Sequence, residues 1–248
     1  MAEKVAFVTG AASGIGRATA RLFASRGYAV AAVDFAEQGG RETEALIKAD
    51  GGEAIFLRCD VSDDASVKAA VDAAVAQFGR LDAAFNAAGI DGSMPVPTAD
   101  CPLDVWTRVL AVNLNGVFHC MRHQIPAMLA TGGGALVNCA STAGIQGAPF
   151  LGAYCASKHG VVGVTRAAAL EYAKQGVRIN AVCPGMIQTP MTMSETMKDV
   201  CLTLAEQSPI GRIGQPEEIA GAVVFLAGDN ASFVTGIDLG VDGGWRSW

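Results

Sequence analysis

Short apolar runs alternate with longer amphipathic stretches along almost the whole chain. Val5–Val8, Ala29–Val33, Ala54–Leu57, Ala83–Phe85, Ala135–Cys139, Val177–Val182 and Ile237–Leu239 read as strands. Between them, Ile15–Arg26, Gln38–Ala49, Asp64–Phe78, Val105–Leu129, Ala153–Ala173 and Pro216–Ala227 read as helices. Pro216 suits a first helical turn, where its missing N–H costs nothing. The strand-like runs are rich in Val and Ala and lack strict polar alternation, the pattern of strands covered on both faces. Strand, helix, strand in repetition requires parallel strands joined by crossover helices. The expected fold is α/β, one doubly wound domain over residues 1–248 with a mostly parallel sheet of about seven strands. No linker, repeat or low-complexity segment interrupts the alternation. In such sheets ligands sit beyond the carboxyl ends of the strands. Residues immediately after each strand are therefore the functional candidates.

The first strand leads into Thr9-Gly10-Ala11-Ala12-Ser13-Gly14-Ile15-Gly16. Glycine tolerates a tight turn and lets backbone N–H groups approach a pyrophosphate with no Cβ in the way. The helix that follows adds the positive end of its dipole. A glycine-rich turn alone is weak evidence, but its placement between strand and helix favours a dinucleotide. The second strand ends at Asp34. A carboxylate there can accept hydrogen bonds from an adenosine ribose and would repel a 2′-phosphate. Phe35 and Ser13 are not basic, and Arg17 lies inside the helix. The balance favours NAD, with NADP as the less favoured cofactor. The alternative for Asp34 is a helix-capping acid. Asp60 and Val61 end the third strand, where Asp60 could bond the adenine amino group. Asn86, Ala87, Ala88 and Gly89 end the fourth, with small residues that let a cofactor lie against the backbone.

Tyr154 and Lys158 are four apart on a helix and share a face. That spacing is common by chance, so two further residues matter. Ser141 follows a buried strand at another carboxyl end. Asn113 sits in the middle of a helical pattern, where Asn is unfavourable and needs a reason to be there. With these motifs in view, the chain resembles a short-chain dehydrogenase/reductase over essentially its whole length. Thr9–Gly16 matches that family's glycine motif, and Asn86–Gly89 matches its N-N-A-G motif except for Ala87 in place of the second Asn. Asn113, Ser141, Tyr154 and Lys158 match its catalytic four. Pro184-Gly185 with Ile187 and Thr189 matches its nicotinamide-facing turn, and Asp242-Gly243-Gly244 its C-terminal motif. The Ala87 departure puts local hydrogen bonding in question.

The resemblance implies a Rossmann-type domain and a hydride transfer between NAD(H) and a secondary alcohol or ketone. Tyr154 would be the general acid/base. Ser141 would orient the substrate oxygen. Lys158 would favour the phenolate and hold the nicotinamide ribose. Asn113 would hold a water in a proton relay. An unperturbed Tyr titrates near ~10, so Lys158 and the nicotinamide ring are expected to lower it. Segment 186–208, which holds four of the eight methionines within Met186–Met197, is expected to be a lid. Gln146, Phe150, Met94 and Met186 are expected pocket residues, which suits a mostly apolar alcohol or ketone. His119, His123 and His159 read as structural. Two alternatives stand beside this reading: an acyl-carrier-protein ketoreductase, and a non-catalytic dinucleotide-binding redox sensor.

Composition narrows the partners. The net charge is −6, with 18 basic residues scattered along 248. That argues against nucleic acid, which needs a basic patch. The longest stretch without charged residues, His123–Ser157, is too rich in Gly, Pro and polar residues to span a membrane. Met1-Ala2-Glu3-Lys4 leads straight into a strand, so no signal peptide is expected. Seven cysteines without a C-x-x-C pair read as reduced cytoplasmic thiols, with no disulfide and no metal site. Charged residues are only 17% of the chain. That low fraction, with Trp245 and Trp248 at the C-terminus, points to subunit interfaces, and a homotetramer is expected.

Overall fold

The apolar runs become a single sheet covered on both sides. A computed structural model describes residues 4–92 and 95–247. Its strands are β1 (Lys4–Thr9), β2 (Tyr28–Asp34), β3 (Ala54–Arg58), β4 (Ala83–Asn86), β5 (Gly134–Cys139), β6 (Val177–Pro184) and β7 (Asp238–Val241). The helices are α1 (Gly14–Ser25), α2 (Glu37–Ala49), α3 (Asp64–Phe78), α4 (Leu103–Leu110), α5 (Gly116–Leu129), α6 (Gly152–Tyr172), α7 (Lys198–Gln207) and α8 (Pro216–Ala227). The strand order is β3-β2-β1-β4-β5-β6-β7, and every neighbouring pair is parallel. The direction of winding reverses between β1 and β4, which opens a crevice at their carboxyl ends.

Two apolar layers explain why the strands show no polar alternation. Val5 and Phe7 of β1 face one layer, with Val67 and Val71 of α3, Ile125 and Met128 of α5, and Val161 of α6. Ala6 and Val8 face the other, with Phe23 of α1, Ile47 of α2, and Ile219, Val223 and Leu226 of α8. Successive side chains point to opposite faces, and here both faces are dry. Helix ends follow local chemistry. Asp63 accepts the Ala65 N–H at the start of α3, and Gly79 closes α3 with φ 83°. Gln215 and Glu218 form a reciprocal capping box around Pro216 at the start of α8. The Arg212 guanidinium pulls the Glu218 carboxyl down to about 2.

The stretch expected as one helix, Val105–Leu129, is not continuous. It begins at Leu103 and is interrupted by a π turn at Ala111–Asn115, where the Gly116 N–H reaches back to the Ala111 carbonyl. The cause is tertiary. Asn113 Oδ1 accepts the Ile90 N–H at 2.8 Å, and its Nδ2 donates to the Ile90 carbonyl at 2.8 Å. Meanwhile Gly116 lies so close to the turn after β3 that a Cβ would sit 2.8 Å from Val61 Cγ2. The extra residue lets both contacts form, and π turns often occur where a side chain must be aimed.

The centre of the sheet holds a buried polar chain. Asn86 Nδ2 donates to Gln124 Oε1 and Asn138 Oδ1, Gln124 returns a bond to Asn86 Oδ1, and Asn138 Nδ2 donates to Thr165 Oγ1. Ala87 leaves no gap: the Ala87 and Ala88 N–H groups both donate to Thr9 Oγ1. No buried side-chain N or O among the described residues lacks a partner. Also among the described residues, no helix is long and apolar enough to cross a membrane.

Candidate functional site

A cleft of about 540 Å³ runs along the carboxyl ends of the strands. Gly10, Ser13, Gly14, Ile15, Gly16, Asp34, Phe35, Asp60, Val61, Ala87, Ala88, Gly89, Pro184, Gly185, Ile187 and Thr189 all line it. So do Ser141, Tyr154 and Lys158. Two expected site residues do not. Asn86 is tied into the buried chain with Gln124 and Asn138 and is 1% exposed. Asn113 is fully buried behind Gly89. Both act on the cleft wall from behind.

The glycines of the first turn serve the protein's own packing as well as an open approach. Gly10 has φ 69°, and a Cβ on it would lie 2.9 Å from the Ala88 nitrogen. A Cβ on Gly16 would lie 2.0 Å from the Gly10 carbonyl oxygen. Besides lining the cleft, these two glycines let the turn, α1 and the segment after β4 touch. The anion-binding chemistry resides in the start of α1. Ser13 caps it without a side-chain bond, and no acidic residue stands in its first turn. Those amides suit a phosphate.

At the other end, Asp34 Oδ2 accepts the Ala12 N–H at 2.9 Å and Oδ1 accepts the Ala36 N–H at 2.8 Å. Asp34 thus braces the turn before α2, which begins without a side-chain cap, and it lines the cleft. Asp60 Oδ1 accepts from the Ser62 N–H and hydroxyl. Arg17 is occupied by Thr43 Oγ1, the Ala12 and Gly39 carbonyls, and Glu42. It has no free reach toward a phosphate.

Ser141, Tyr154 and Lys158 converge at the inner end. Ser141 follows β5 and accepts the Ala143 N–H at 3.1 Å, which fixes its rotamer. Its hydroxyl lies in the cleft beside Tyr154 and pulls the phenol's titration down. Lys158 is 3% exposed, donates to the Cys139 carbonyl at 2.8 Å, and places Nζ 5.6 Å from the Tyr154 ring centre. Ser157 donates to the Tyr154 carbonyl at 2.7 Å and accepts from Asn113 Nδ2 at 3.2 Å. The Asn113 side chain thus positions Ile90 and Ser157, and its donors are used up. It is not placed as a simple water holder.

Burial governs the titration here. It pushes the Tyr154 phenol above its ordinary value, against the opposing pull of the nearby Ser141 hydroxyl. Burial likewise pulls the Lys158 ammonium down. The expectation of a lowered Tyr154 is not met by Lys158, which lies beside the ring and is itself desolvated. Lowering it requires a further positive charge in the cleft.

The expected pocket residues are distributed differently from the sequence reading. Met186 lines an adjoining cavity of about 280 Å³, together with Leu204, Ile210 and Trp245. Gln146 and Phe150 line neither cavity, and Met94 lies outside the described residues, as does Trp248. Phe150 adopts φ 67°, a strained conformation for a bulky residue, and its carbonyl accepts the Val96 N–H. Pro190, Met191 and Thr192 of the expected lid segment line the cleft, and so do Ile90, Arg108, Ala111 and Val112, which were not foreseen. Most are apolar loop or helix positions with no motif to mark them. His159 is exposed and bonds the Cys155 carbonyl, His119 bonds the Val61 carbonyl, and His123 pairs with Asp64 at 2.9 Å. None of the three lines the cleft.

Comparison with known proteins agrees with this geometry. A family model described as Enoyl-(Acyl carrier protein) reductase matches residues 10–246. Cyclohexanol dehydrogenase from Acinetobacter sp. is 46% identical over 99% of this chain and 96% of its own length. Cis-4-hydroxycyclohexanecarboxylate dehydrogenase from Sinomonas cyclohexanicum is also 46% identical, over 99% of this chain and 98% of its own. Among solved structures, levodione reductase superposes with a TM-score of 0.95 at 38% identity, covering 98% of each chain.

Proposed function

The chain belongs to the short-chain dehydrogenase/reductase family, and on that premise we propose that Ser141, Tyr154 and Lys158 carry its chemistry. The reaction is hydride transfer between a nicotinamide dinucleotide and a secondary alcohol or ketone. The bound dinucleotide supplies the hydride acceptor or donor. The chain's own residues orient the substrate and handle the proton. The Tyr154 hydroxyl takes the alcohol proton in oxidation and returns it in reduction. Ser141 donates to the substrate oxygen from a rotamer set by Ala143. Lys158 adds positive charge beside the ring and offers its remaining N–H donors to ribose hydroxyls. Asn113 positions Ile90 and Ser157, and its π turn is the proposed seat of the relay water. The observation that carries this reading is the convergence of Ser141, Tyr154 and Lys158 in one cleft, with a buried ammonium beside the Tyr154 ring.

The proposed substrate is a secondary alcohol on a six-membered carbocycle. The two relatives named above carry names for a hydroxyl on a cyclohexane ring, and Ile90, Val112 and Met191 give the cleft an apolar wall. Segment 186–208 is the proposed cover, with Cys201 and Ala205 forming the buried face of α7. The proposed cofactor is NAD, because the Asp34 carboxylate would stand against a 2′-phosphate. That repulsion should favour NAD by about a hundredfold in kcat/KM. One absorbance assay tests these points: cyclohexanol, a linear polyol and a β-ketoacyl thioester, each with both dinucleotides. Cyclohexanol with NAD should be fastest. A faster thioester with NADPH would replace this reading by the ketoreductase, and no turnover at all would favour the redox sensor.

The homotetramer is likewise a proposal. Leu103, Trp106 and Phe118 are exposed on α4 and α5, while Phe225, Phe233 and Ile237 are exposed around α8 and β7. Two separate apolar faces would serve the two interface types of a tetramer with dihedral symmetry. Light scattering should give four times 25.4 kDa, and a monomer would sink the idea. Cytoplasmic placement belongs to the same proposal. It rests on seven cysteines that are all free, and isolation of the chain with disulfides would contradict it.

A further inference from the structure

Beside the adenosine end of the cleft, just outside its lining, one cation has no anionic partner among the described residues. β2 and β3 finish side by side, with Asp34 and Arg58 as cross-strand partners. Paired positions on neighbouring strands send their side chains to the same side of the sheet. Asp34 is held by two backbone amides. Arg17 and Arg41, the other guanidinium groups nearby, are paired with Glu42 and Glu37. Arg58 is exposed and has no hydrogen-bond acceptor or ion-pair partner among the described residues. Its guanidinium rests on the Phe35 ring, 5.1 Å from the centroid. Phe35 is itself 62% exposed and lines the cleft beside Asp34.

An exposed cation–π contact is weak. A guanidinium matches a phosphate with two parallel N–H donors. A group that is cationic, unpaired and held beside the ribose-facing carboxylate is therefore placed for a phosphate at that ribose. We propose that Arg58 is a 2′-phosphate-binding residue that Asp34 masks. Asp34 makes the ribose hydroxyl the preferred ligand. Arg58, docked on Phe35, sets how steeply a 2′-phosphate is rejected and captures it once the Asp34 charge is gone. The inference rests on the NAD preference proposed above and extends it. The chain needs no new basic residue to accept the phosphorylated dinucleotide.

The test uses binding alone. Calorimetric titrations with 5′-AMP and with adenosine 2′,5′-bisphosphate compare the intact protein with Arg58→Ala, Asp34→Asn and the double variant. Asp34→Asn keeps a side-chain acceptor for one amide, and thermal unfolding confirms that each variant folds. The intact protein should bind 5′-AMP more tightly than the bisphosphate. Asp34→Asn should raise bisphosphate affinity relative to 5′-AMP by about tenfold or more, and adding Arg58→Ala should remove about tenfold of it. Arg58→Ala alone should weaken the bisphosphate and leave 5′-AMP unchanged. Should Asp34→Asn not fold, that last comparison decides. A gain of equal size with and without Arg58 would overturn the role given to Arg58. Tighter bisphosphate binding by the intact protein would instead overturn the NAD preference, so the two failures read out separately.

Discussion

Replacing Tyr154 by Phe is expected to lower kcat/KM by about three to four orders of magnitude, at the upper end of general acid–base effects. Dinucleotide affinity should stay within about threefold, because the ring and its contact with Lys158 remain. Only the hydroxyl is lost. Ser141 then keeps its bond to the Ala143 amide but has no phenol to orient. The pH profile sharpens the test. Oxidation needs the phenolate, and burial holds Tyr154 above its ordinary value, so kcat/KM for alcohol oxidation should rise with pH in the intact protein. Any residual activity of Tyr154→Phe should lose that dependence. Turnover within tenfold of the intact enzyme, or an unchanged pH profile, would remove Tyr154 from its proposed role.

The second large effect is expected at Gly16. A Cβ there would lie 2.0 Å from the Gly10 oxygen, 2.5 Å from the Gly10 carbon and 3.1 Å from the Ala11 nitrogen. All three are backbone atoms, so no side chain can rotate away. Gly16→Ala must push α1 off the turn, and α1 also packs Phe23 into the core layer that holds Ile219 of α8. A cost of about 3 kcal/mol is expected, at the upper end for overpacking, which lowers Tm by on the order of 10 °C in a domain of this size. Dinucleotide binding should fall with it, since the α1 amides lose their position. Gly163→Ala is the matched control. Gly163 lies in α6 with open space around it, and Ala there should be neutral or slightly stabilising by helix propensity. Equal melting temperatures for the two variants would disprove the steric reading of Gly16.

Much of this molecule was legible from local pattern. The seven strands, the Tyr154–Lys158 face and the small residues at Ala87–Gly89 all follow from spacing along the chain. Other features were hidden for physical reasons. Asn86 looked like a cofactor contact because of its motif. Its partners, Gln124 and Asn138, lie 38 and 52 residues away, and nothing local announces such a chain. The π turn at Ala111–Asn115 answers to Ile90 and Val61, on other elements. Arg58 ends a strand without a motif, and its docking on Phe35 depends on the pairing of β2 with β3.

The amino-acid order was enough to establish the alternation of strand and helix, the parallel winding it forces, and the family with its reaction. These rest on short-range periodicity and on residue types at fixed offsets, which a linear chain displays openly. The fold in three dimensions settled which groups are dry and which face one another. It gave Gly10 and Gly16 contacts within the protein beside their place in the cleft, moved Asn86 and Asn113 behind the cleft wall, and set the Tyr154 phenol above its ordinary value. Burial and approach between distant segments belong to the packed chain, and a desolvation cost exists only once neighbours have excluded the water.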